Sequence, residues 1–111
     1  MYEEWAGRCK ALAHPVRLQI LDMLRQGEVC VCHIRARLCR RQAYVSQQLM
    51  VLREAGLVAT RKEGLRVFYR LNDPRTEALL DAMLGPCTVD APERVEGCDC
   101  PHCVYEHDTA H

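Results

Sequence analysis

Apolar residues recur every three or four positions in five stretches of the chain, the spacing typical of helices that bury one face. The second stretch begins at Pro15, and proline is favoured in the first turn of a helix. The turn Cys39-Arg40-Arg41 separates the third stretch from the fourth. The predicted helices span residues 2–13, 15–26, 32–38, 42–55 and 72–84.

The same spacing predicts which side chains face the core. In the fourth helix this leaves Ala43, Tyr44, Ser46 and Gln47 mostly on the outer side. The expected inward side chains of the first four helices are Trp5, Cys9, Leu12, Val16, Ile20, Leu21, Leu24, Ile34, Leu38, Val45, Leu49 and Leu52.

Between residues 57 and 71 the period changes to two, which is typical of strands. Two runs of β-forming residues, 57–62 and 66–71, flank a turn at Glu63-Gly64 and predict a two-stranded hairpin. A helix-turn-helix followed by such a hairpin, or wing, is a winged-helix pattern. The expected fold class is therefore mainly α with a small β-hairpin, a winged helix-turn-helix.

Length and composition favour one small domain followed by a tail. The chain has 111 residues, 49% of them hydrophobic, enough for a single core. We expect a domain over residues 1–85 and an acidic, Cys/His-rich tail over 86–111. No apolar run approaches the roughly 18–20 residues that span a bilayer, and Met1-Tyr2-Glu3-Glu4 does not look like a signal peptide. These features predict a cytoplasmic protein without a membrane partner.

The formal net charge of zero hides an uneven distribution. Between His33 and Arg70 the only acidic residues are Glu54 and Glu63, whereas the tail after Gly85 is acidic. A basic middle segment suits a polyanion such as DNA. The basic residues of that segment are Arg35, Arg37, Arg40, Arg41, Arg53, Arg61, Lys62, Arg66 and Arg70.

Eight cysteines are unusual for a chain without an export signal, and in a reducing compartment they favour metal binding or redox sensing over structural disulfides. Cys30 and Cys32 precede the helix-turn-helix, and two thiolates one residue apart can hold a soft metal ion. Their side chains converge only if Cys30 lies just outside the third helix and Cys32 in its first turn.

Four segments of the chain resemble the ArsR/SmtB family of metalloregulatory repressors and occur in the order typical of that family. The likeness covers about residues 5–84. The family's fold is a homodimeric winged helix-turn-helix, so the resemblance implies a dimer whose first and last helices pack together, burying Trp5, Leu79, Leu80, Met83 and Leu84. The segments are Lys10-Ala11-Leu12-Ala13-His14-Pro15-Val16-Arg17-Leu18, Glu28-Val29-Cys30-Val31-Cys32, 45–58 with Val45-Ser46-Gln47-Gln48-Leu49, and 61–71 with Arg61-Lys62-Glu63-Gly64.

The resemblance also implies that helix 42–55 reads the major groove of an inverted-repeat, double-stranded operator. The side chains expected at base edges are Gln42, Tyr44, Ser46 and Gln47. Those expected at phosphates are Arg40, Arg41, Arg61, Lys62 and Arg66. Two residues depart from the family pattern: Gln48 stands where His is common, and Arg41 where a small N-capping residue is usual.

Cys30 and Cys32 match the family's metal site, which implies that a bound thiophilic ion releases the repressor from DNA. Some arsenic-sensing members have a third Cys where this chain has Arg35. The third ligand is therefore expected from Cys98, Cys100 or Cys103 in the tail, or from Cys9. Three sulfurs suit As(III) or Sb(III), and a fourth ligand would favour Cd(II), Pb(II) or Zn(II). Alternatively the tail binds a structural Zn(II) of its own.

Two further hypotheses stay open. On the same fold, oxidation or sulfur species would join thiols into disulfides and give a redox-sensing repressor. In a different class, Cys100-Pro101-His102-Cys103 looks like the active-site motif of thiol–disulfide oxidoreductases. That motif here lacks the preceding βαβ pattern, and no arrangement of catalytic residues stands out elsewhere. We therefore expect a regulator rather than an enzyme.

Overall fold

Five helices and three short strands follow one another in the computed structural model, which describes residues 1–86. Every predicted helix is present, with ends that differ from the expected ones by one or two residues. The elements are α1 (Tyr2–Leu12), α2 (Pro15–Leu24), β1 (Val29–Cys30), α3 (Val31–Leu38), α4 (Gln42–Glu54), β2 (Val58–Glu63), β3 (Arg66–Leu71) and α5 (Pro74–Leu84).

Side chains that cap helices explain where α2 and α5 begin. Nδ1 of His14 accepts a hydrogen bond from the backbone N–H of Val16 at 3.2 Å, and Pro15 opens α2. Oδ1 of Asp73 likewise accepts from the backbone N–H of Arg75 at 2.8 Å, one residue after the proline that opens α5. Each cap satisfies a backbone donor that the helix itself leaves unpaired.

The core lies between α2, α3, α4 and the start of β2, with further side chains from α1 and α5, and its members are mostly the predicted ones. The predicted inward position of Cys9 is wrong, because this residue is exposed and α1 instead buries Arg8, Ala11 and Leu12. The fully buried aliphatic side chains, each at most 2% exposed, are Ile20, Leu21, Leu24, Ile34, Val45, Leu49, Leu52, Leu57 and Leu80.

The sheet has three antiparallel strands in the order β1-β3-β2, one more than the sequence predicts. β2 and β3 form the expected hairpin, with Val58 opposite Leu71 and Glu63 opposite Arg66. β1 pairs with the outer side of β3, where Cys30 lies opposite Phe68. A strand of two residues has no periodicity to detect. Its pairing joins the segment just before α3 to the wing.

Arg8 ties the two terminal helices to the end of α4. Its guanidinium lies 2.7 Å from the carboxylate of Glu4 and 3.3 Å from that of Asp73, and its Nε donates to the carbonyl of Ala55 at 3.3 Å. The guanidinium groups of Arg8 and Arg75 lie 4.5 and 4.9 Å from the ring centre of Trp5. These contacts fix α1 beside α5.

The terminal helices leave apolar side chains on the surface of the single chain. Met83 and Leu84 on α5 are 49% and 44% exposed, and Tyr2 on α1 is 90% exposed. Leu80, which we expected between protomers, is fully buried within one chain and belongs to its own core. Among residues 1–86, none of the helices has both the length and the apolar character needed to cross a membrane.

Candidate nucleic-acid interface and thiol site

The outer face of α4 carries the side chains that the sequence assigns to base edges. Gln42, Ser46 and Gln47 are exposed and Tyr44 is half-buried, while the opposite face packs into the core. The structure thus exposes Gln42, Ser46 and Gln47 near the beginning of the helix, whereas Tyr44 lies at the edge of this surface and packs partly against the core. Long polar side chains in such a place can reach the floor of a major groove.

Gln48 has a different position from its neighbour. It is 7% exposed, and its Oε1 accepts a hydrogen bond from Nη1 of Arg17 at 3.0 Å. The same arginine donates through Nε to the carbonyl of Ala11 at 2.6 Å. Arg17 therefore connects the end of α1 to the middle of α4. Arg17 lies inside one of the quoted family segments, but nothing in the sequence pattern around it predicted this contact.

The turn between α3 and α4 presents two exposed arginines, Arg40 and Arg41. The guanidinium of Arg40 lies 5.4 Å from the ring centre of Tyr44. Arg41 is the N-cap residue of α4 but its side chain makes no capping hydrogen bond. Cys39 adopts a left-handed backbone with φ 53°, which accounts for the sharp turn here. This basic turn lies directly before the exposed face of α4.

On the wing, the three basic residues differ in their surroundings. Lys62 is exposed and Arg66 is half-buried. Arg61 lies 2.6 Å from the carboxylate of Glu28 and 2.7 Å from that of Glu63, and its guanidinium covers the ring of Phe68 at 4.6 Å. The hydrogen bond to Glu28, which has the larger effect, and the hydrogen bond to Glu63 raise the pKa of Arg61 above its already high value. Its charge is therefore balanced within the protein.

Cys30 and Cys32 bring their sulfur atoms to within 2.9 Å of each other, and we call them the thiol pair. Cys30 is the N-cap of α3 with an extended backbone, and Cys32 lies in the first turn, as the sequence predicts. Cys30 is buried against Phe68, whereas Cys32 is partly exposed. Two sulfurs bound to one tetrahedral zinc-sized ion are about 3.8 Å apart, from metal–sulfur distances of roughly 2.3 Å. The two sulfur atoms would have to move apart by less than about 1 Å to bind such an ion.

Within residues 1–86, no group of three or more His, Cys, Asp and Glu side chains is placed to hold a metal ion. Cys9 and Cys39 are exposed elsewhere. The tail residues Cys98, Cys100 and Cys103, and with them the Cys100-Pro101-His102-Cys103 motif, lie outside the described residues. The described part of one chain therefore offers a two-sulfur site.

A small cleft joins the thiol pair to α4. It is lined by Val31, Cys32 and Arg35 from α3 and by Gln42, Val45 and Ser46 from α4. Across it, Nη1 of Arg35 donates to Oε1 of Gln42 at 3.0 Å. The partly exposed thiol of Cys32 thus shares one cleft with Gln42 and Ser46, two residues assigned to base edges.

Comparison with known proteins bears on the family and the fold of the chain. A model of the family described as "Bacterial regulatory protein, arsR family" matches residues 14–60. HlyU from Vibrio cholerae has a solved structure with a TM-score of 0.71 and 39% identity, covering 74% of this chain and 89% of that one. This chain belongs to the ArsR family of bacterial regulatory proteins. The resemblance inferred from its motifs is confirmed.

One further solved structure and two further relatives are similar to this chain. A homodimeric winged helix-turn-helix DNA-binding domain from Mycobacterium bovis has a TM-score of 0.70 and 36% identity, covering 75% of this chain and 77% of that one. The winged helix-turn-helix fold is thereby confirmed. The Biofilm growth-associated repressor of Agrobacterium fabrum is 49% identical over 74 residues, 67% of this chain and 63% of that protein. The Arsenic resistance transcriptional regulator ArsR1 of Pseudomonas putida is 41% identical over 76 residues, 68% of this chain and 59% of that protein.

Proposed function

We propose that this ArsR-family chain is a transcriptional repressor that binds an inverted-repeat operator as a homodimer and leaves it when a thiophilic ion binds the thiol pair. The observation that carries the proposal is the pair of sulfur atoms 2.9 Å apart at the start of α3, beside the base-facing surface of α4. The names of the relatives support regulation of transcription, since one is a repressor and another an arsenic resistance regulator.

The proposed operator contacts follow from exposure and charge. Gln42, Ser46 and Gln47 would meet base edges because they are exposed on α4, and Tyr44, which is half-buried, would meet them from the edge of that surface. Arg40, Arg41, Lys62 and Arg66 would meet phosphates on either side of that helix. The homodimeric relative from Mycobacterium bovis supports two such surfaces related by a two-fold axis. Two half-sites about one helical turn, roughly 34 Å, apart would then be read together.

The ligand would be a soft ion, because thiolates select such ions over magnesium or calcium. With Cys30 and Cys32 as two ligands, a third would come from Cys98, Cys100 or Cys103, or from Cys9 of either protomer. As(III) and Sb(III) fit three sulfurs, and Cd(II) or Pb(II) would fit a site with one ligand more. If the tail supplies a ligand to this site, its cysteines belong to the switch and do not hold a separate Zn(II).

The cleft supplies a route from the thiol pair to DNA. An ion on Cys32 would occupy space next to Arg35, whose hydrogen bond holds the side chain of Gln42. Displacing Arg35 would free Gln42 from the orientation in which it faces the groove. Coupling between ligand sites of about 1–3 kcal/mol changes affinity roughly 5–150-fold, which is enough to relieve repression. The ion must bind the DNA-free form more tightly to have this effect.

The test is fluorescence anisotropy of a labelled operator under reductant. Arsenite, antimonite, cadmium, lead and zinc are titrated into the wild-type complex, the Cys30→Ser/Cys32→Ser variant and a Cys39→Ser control, whose altered thiol is exposed outside the pair. We expect at least one ion to release the wild type and the control but not the double variant. Release of the double variant by the same ion would refute the proposal.

A Cys98→Ser/Cys100→Ser/Cys103→Ser variant addresses the third ligand in the same assay. If the tail completes the site, this variant needs a higher ion concentration for release, or is not released at all. If it responds as the wild type does, the tail is not part of the switch and Cys9 is the remaining candidate, tested by Cys9→Ser.

A second candidate signal is oxidation, and the same sulfur contact favours it. Closing from 2.9 Å to the roughly 2.05 Å of a disulfide takes less than about 1 Å of movement. The two thiols would give up two protons and two electrons to an oxidant such as hydrogen peroxide or a persulfide. Release reversed by a thiol reductant indicates this chemistry, whereas release reversed by a chelator indicates an ion.

A further inference from the structure

We propose that Arg61 is a positioning residue that ties the wing to the thiol pair, and that it does not serve as a phosphate contact. This inference rests on the proposed function, because the tie is meaningful only if the thiol pair switches DNA binding. The wing would then be a second route by which a ligand on α3 changes the operator surface.

The first observation is the pairing of Arg61 with acidic groups. Its Nε lies 3.1 Å from both carboxylate oxygens of Glu28 and its Nη2 lies 2.6 Å from one of them, a geometry that a planar guanidinium makes well. Its Nη1 contacts Glu63 at 2.7 Å. A phosphate bound to Arg61 would have to displace these carboxylates or approach them closely. Both alternatives are unfavourable for an anion.

The second observation is the row of residues across the sheet. Cys30 lies opposite Phe68 in the β1–β3 pairing, and Phe68 lies opposite Arg61 in the β2–β3 pairing. Directly opposed residues of an antiparallel sheet project from the same face. The guanidinium of Arg61 accordingly covers the ring of Phe68 at 4.6 Å, and Phe68 packs against Cys30.

Two of the three partners of Arg61, Glu28 and Phe68, are therefore linked to the thiol pair. Glu28 lies two residues before Cys30 on the same chain segment, and Phe68 touches Cys30 directly. A ligand that moves Cys30 displaces the carboxylate and the ring that hold Arg61. Because Arg61 lies on β2, the wing shifts with it.

Lys62 provides a matched control. It is the next residue on β2, is exposed, and lies opposite Val67 in the neighbouring row, so it projects from the other face of the sheet. A basic residue there can approach DNA without disturbing the row formed by Cys30, Phe68 and Arg61.

The experiment measures operator Kd at several salt concentrations, with and without phenylarsine oxide, which condenses with two thiols and loses water. The proteins are full-length wild type, Arg61→Gln, Arg61→Lys, Glu28→Gln and Lys62→Gln. Each neutralised phosphate contributes about 0.9 to the slope of log K against log salt. We expect Arg61→Gln to keep the wild-type slope and Lys62→Gln to lower it by about 0.9 per protomer.

The ratio of Kd with and without the arsenical reports the coupling. We expect this ratio to fall at least about fivefold, within the range of usual allosteric factors, in Arg61→Gln, Arg61→Lys and Glu28→Gln, and to stay unchanged in Lys62→Gln. We expect Arg61→Lys to lose coupling as well, because an ammonium group lacks the planar guanidinium geometry that pairs with Glu28. The proposal would be overturned if Arg61→Gln lowered the slope of log K against log salt. It would also be overturned if Arg61→Gln, Arg61→Lys and Glu28→Gln all kept the wild-type ratio of Kd with and without the arsenical.

The two proposals fail in different ways. If phenylarsine oxide does not weaken wild-type binding, the thiol switch fails, and Arg61 as a link to it is overturned as well. If the wild type is released and the Arg61 and Glu28 variants are released equally, the thiol switch stands and only the role of Arg61 is rejected. Cooperative thermal unfolding of each variant confirms that the compared proteins are folded.

Discussion

Two adjacent glutamines on α4 have opposite surroundings, and substitution by alanine separates their roles. Gln48→Ala removes a buried hydrogen bond from the guanidinium of Arg17, so we expect it to lower the free energy of unfolding by about 1–3 kcal/mol. Gln47→Ala removes an exposed side chain and should change that free energy by less than about 0.5 kcal/mol. Urea unfolding at a fixed protomer concentration provides the measurement.

Operator binding should give the reverse order. If Gln47 reads a base edge, Gln47→Ala costs about 1–3 kcal/mol of discrimination at one base pair of each half-site. Gln48→Ala should retain the sequence preference at that base pair. A stable Gln48→Ala protein that has lost the preference would contradict this division.

Individual buried polar residues were the hardest features to anticipate from the sequence. Gln48 lies three residues after Val45 and one before Leu49, on the buried face, yet its amide suggested no core role. Its partner Arg17 is 31 residues away, so the pairing depends on how α2 packs on α4. Cys9 shows the converse error, since an apolar residue at helical spacing is exposed.

At the scale of elements, Gly56 allows α4 to pass directly into the wing. Its φ is +82°, and a Cβ there would lie 3.3 Å from Nη2 of Arg8, which is held by several contacts. We expect Gly56→Ala to destabilise the protein by about 1–2 kcal/mol, the usual cost of a left-handed conformation. Gly7→Ala serves as the comparison, because a Cβ at Gly7 would have no neighbour within 4 Å.

Gly7 lies inside α1, where alanine is favoured over glycine by roughly 0.5–1 kcal/mol. We therefore expect a small increase in the free energy of unfolding from Gly7→Ala, measured by the same urea titration. If Gly56→Ala and Gly7→Ala changed the free energy of unfolding in the same direction, backbone conformation would not explain the effects of these substitutions.

The helices and the hairpin followed from the sequence because each has a period of its own, 3.6 or 2 residues. β1 has only two residues, and its pairing with β3 is fixed by contacts 38 or more positions apart. The convergence of Cys30 and Cys32, by contrast, could be anticipated from their position at the start of α3, with Cys30 just outside the helix and Cys32 in its first turn. The link from Cys30 to the wing required the sheet register.

At the scale of the whole molecule, the exposed apolar residues of α5 are the proposed dimer surface. We expect Met83→Glu/Leu84→Glu to be monomeric in sedimentation velocity experiments, because two charges would be buried at the two-fold axis. Operator affinity should fall about 100-fold or more, since the half-sites are no longer bound together.

Met50→Glu is the control for the sedimentation measurement alone. Met50 is 57% exposed on α4, so a charge there should leave the oligomeric state unchanged. A Met83→Glu/Leu84→Glu protein that remains dimeric would place the dimer surface elsewhere on the chain.

The complete ligand set of the thiol site could not be fixed from one chain. Helix periods depend on neighbouring residues, whereas a third ligand depends on a distant segment or on a second protomer. For this reason the sequence predicted Cys30 and Cys32 by position but left Cys9, Cys98, Cys100 and Cys103 as alternatives.

The proposed function requires the thiol pair and the operator surface to be thermodynamically coupled, and this coupling can be measured from the side of the ion. The Kd of the releasing ion is determined for the free dimer and for the dimer bound to excess operator. Linkage requires the operator to weaken ion binding by the same factor by which the ion weakens operator binding. We predict a factor of about 5–150, equal in both directions and preserved in Cys39→Ser. An ion affinity that is identical with and without operator would show that the thiol pair and the operator surface are not coupled.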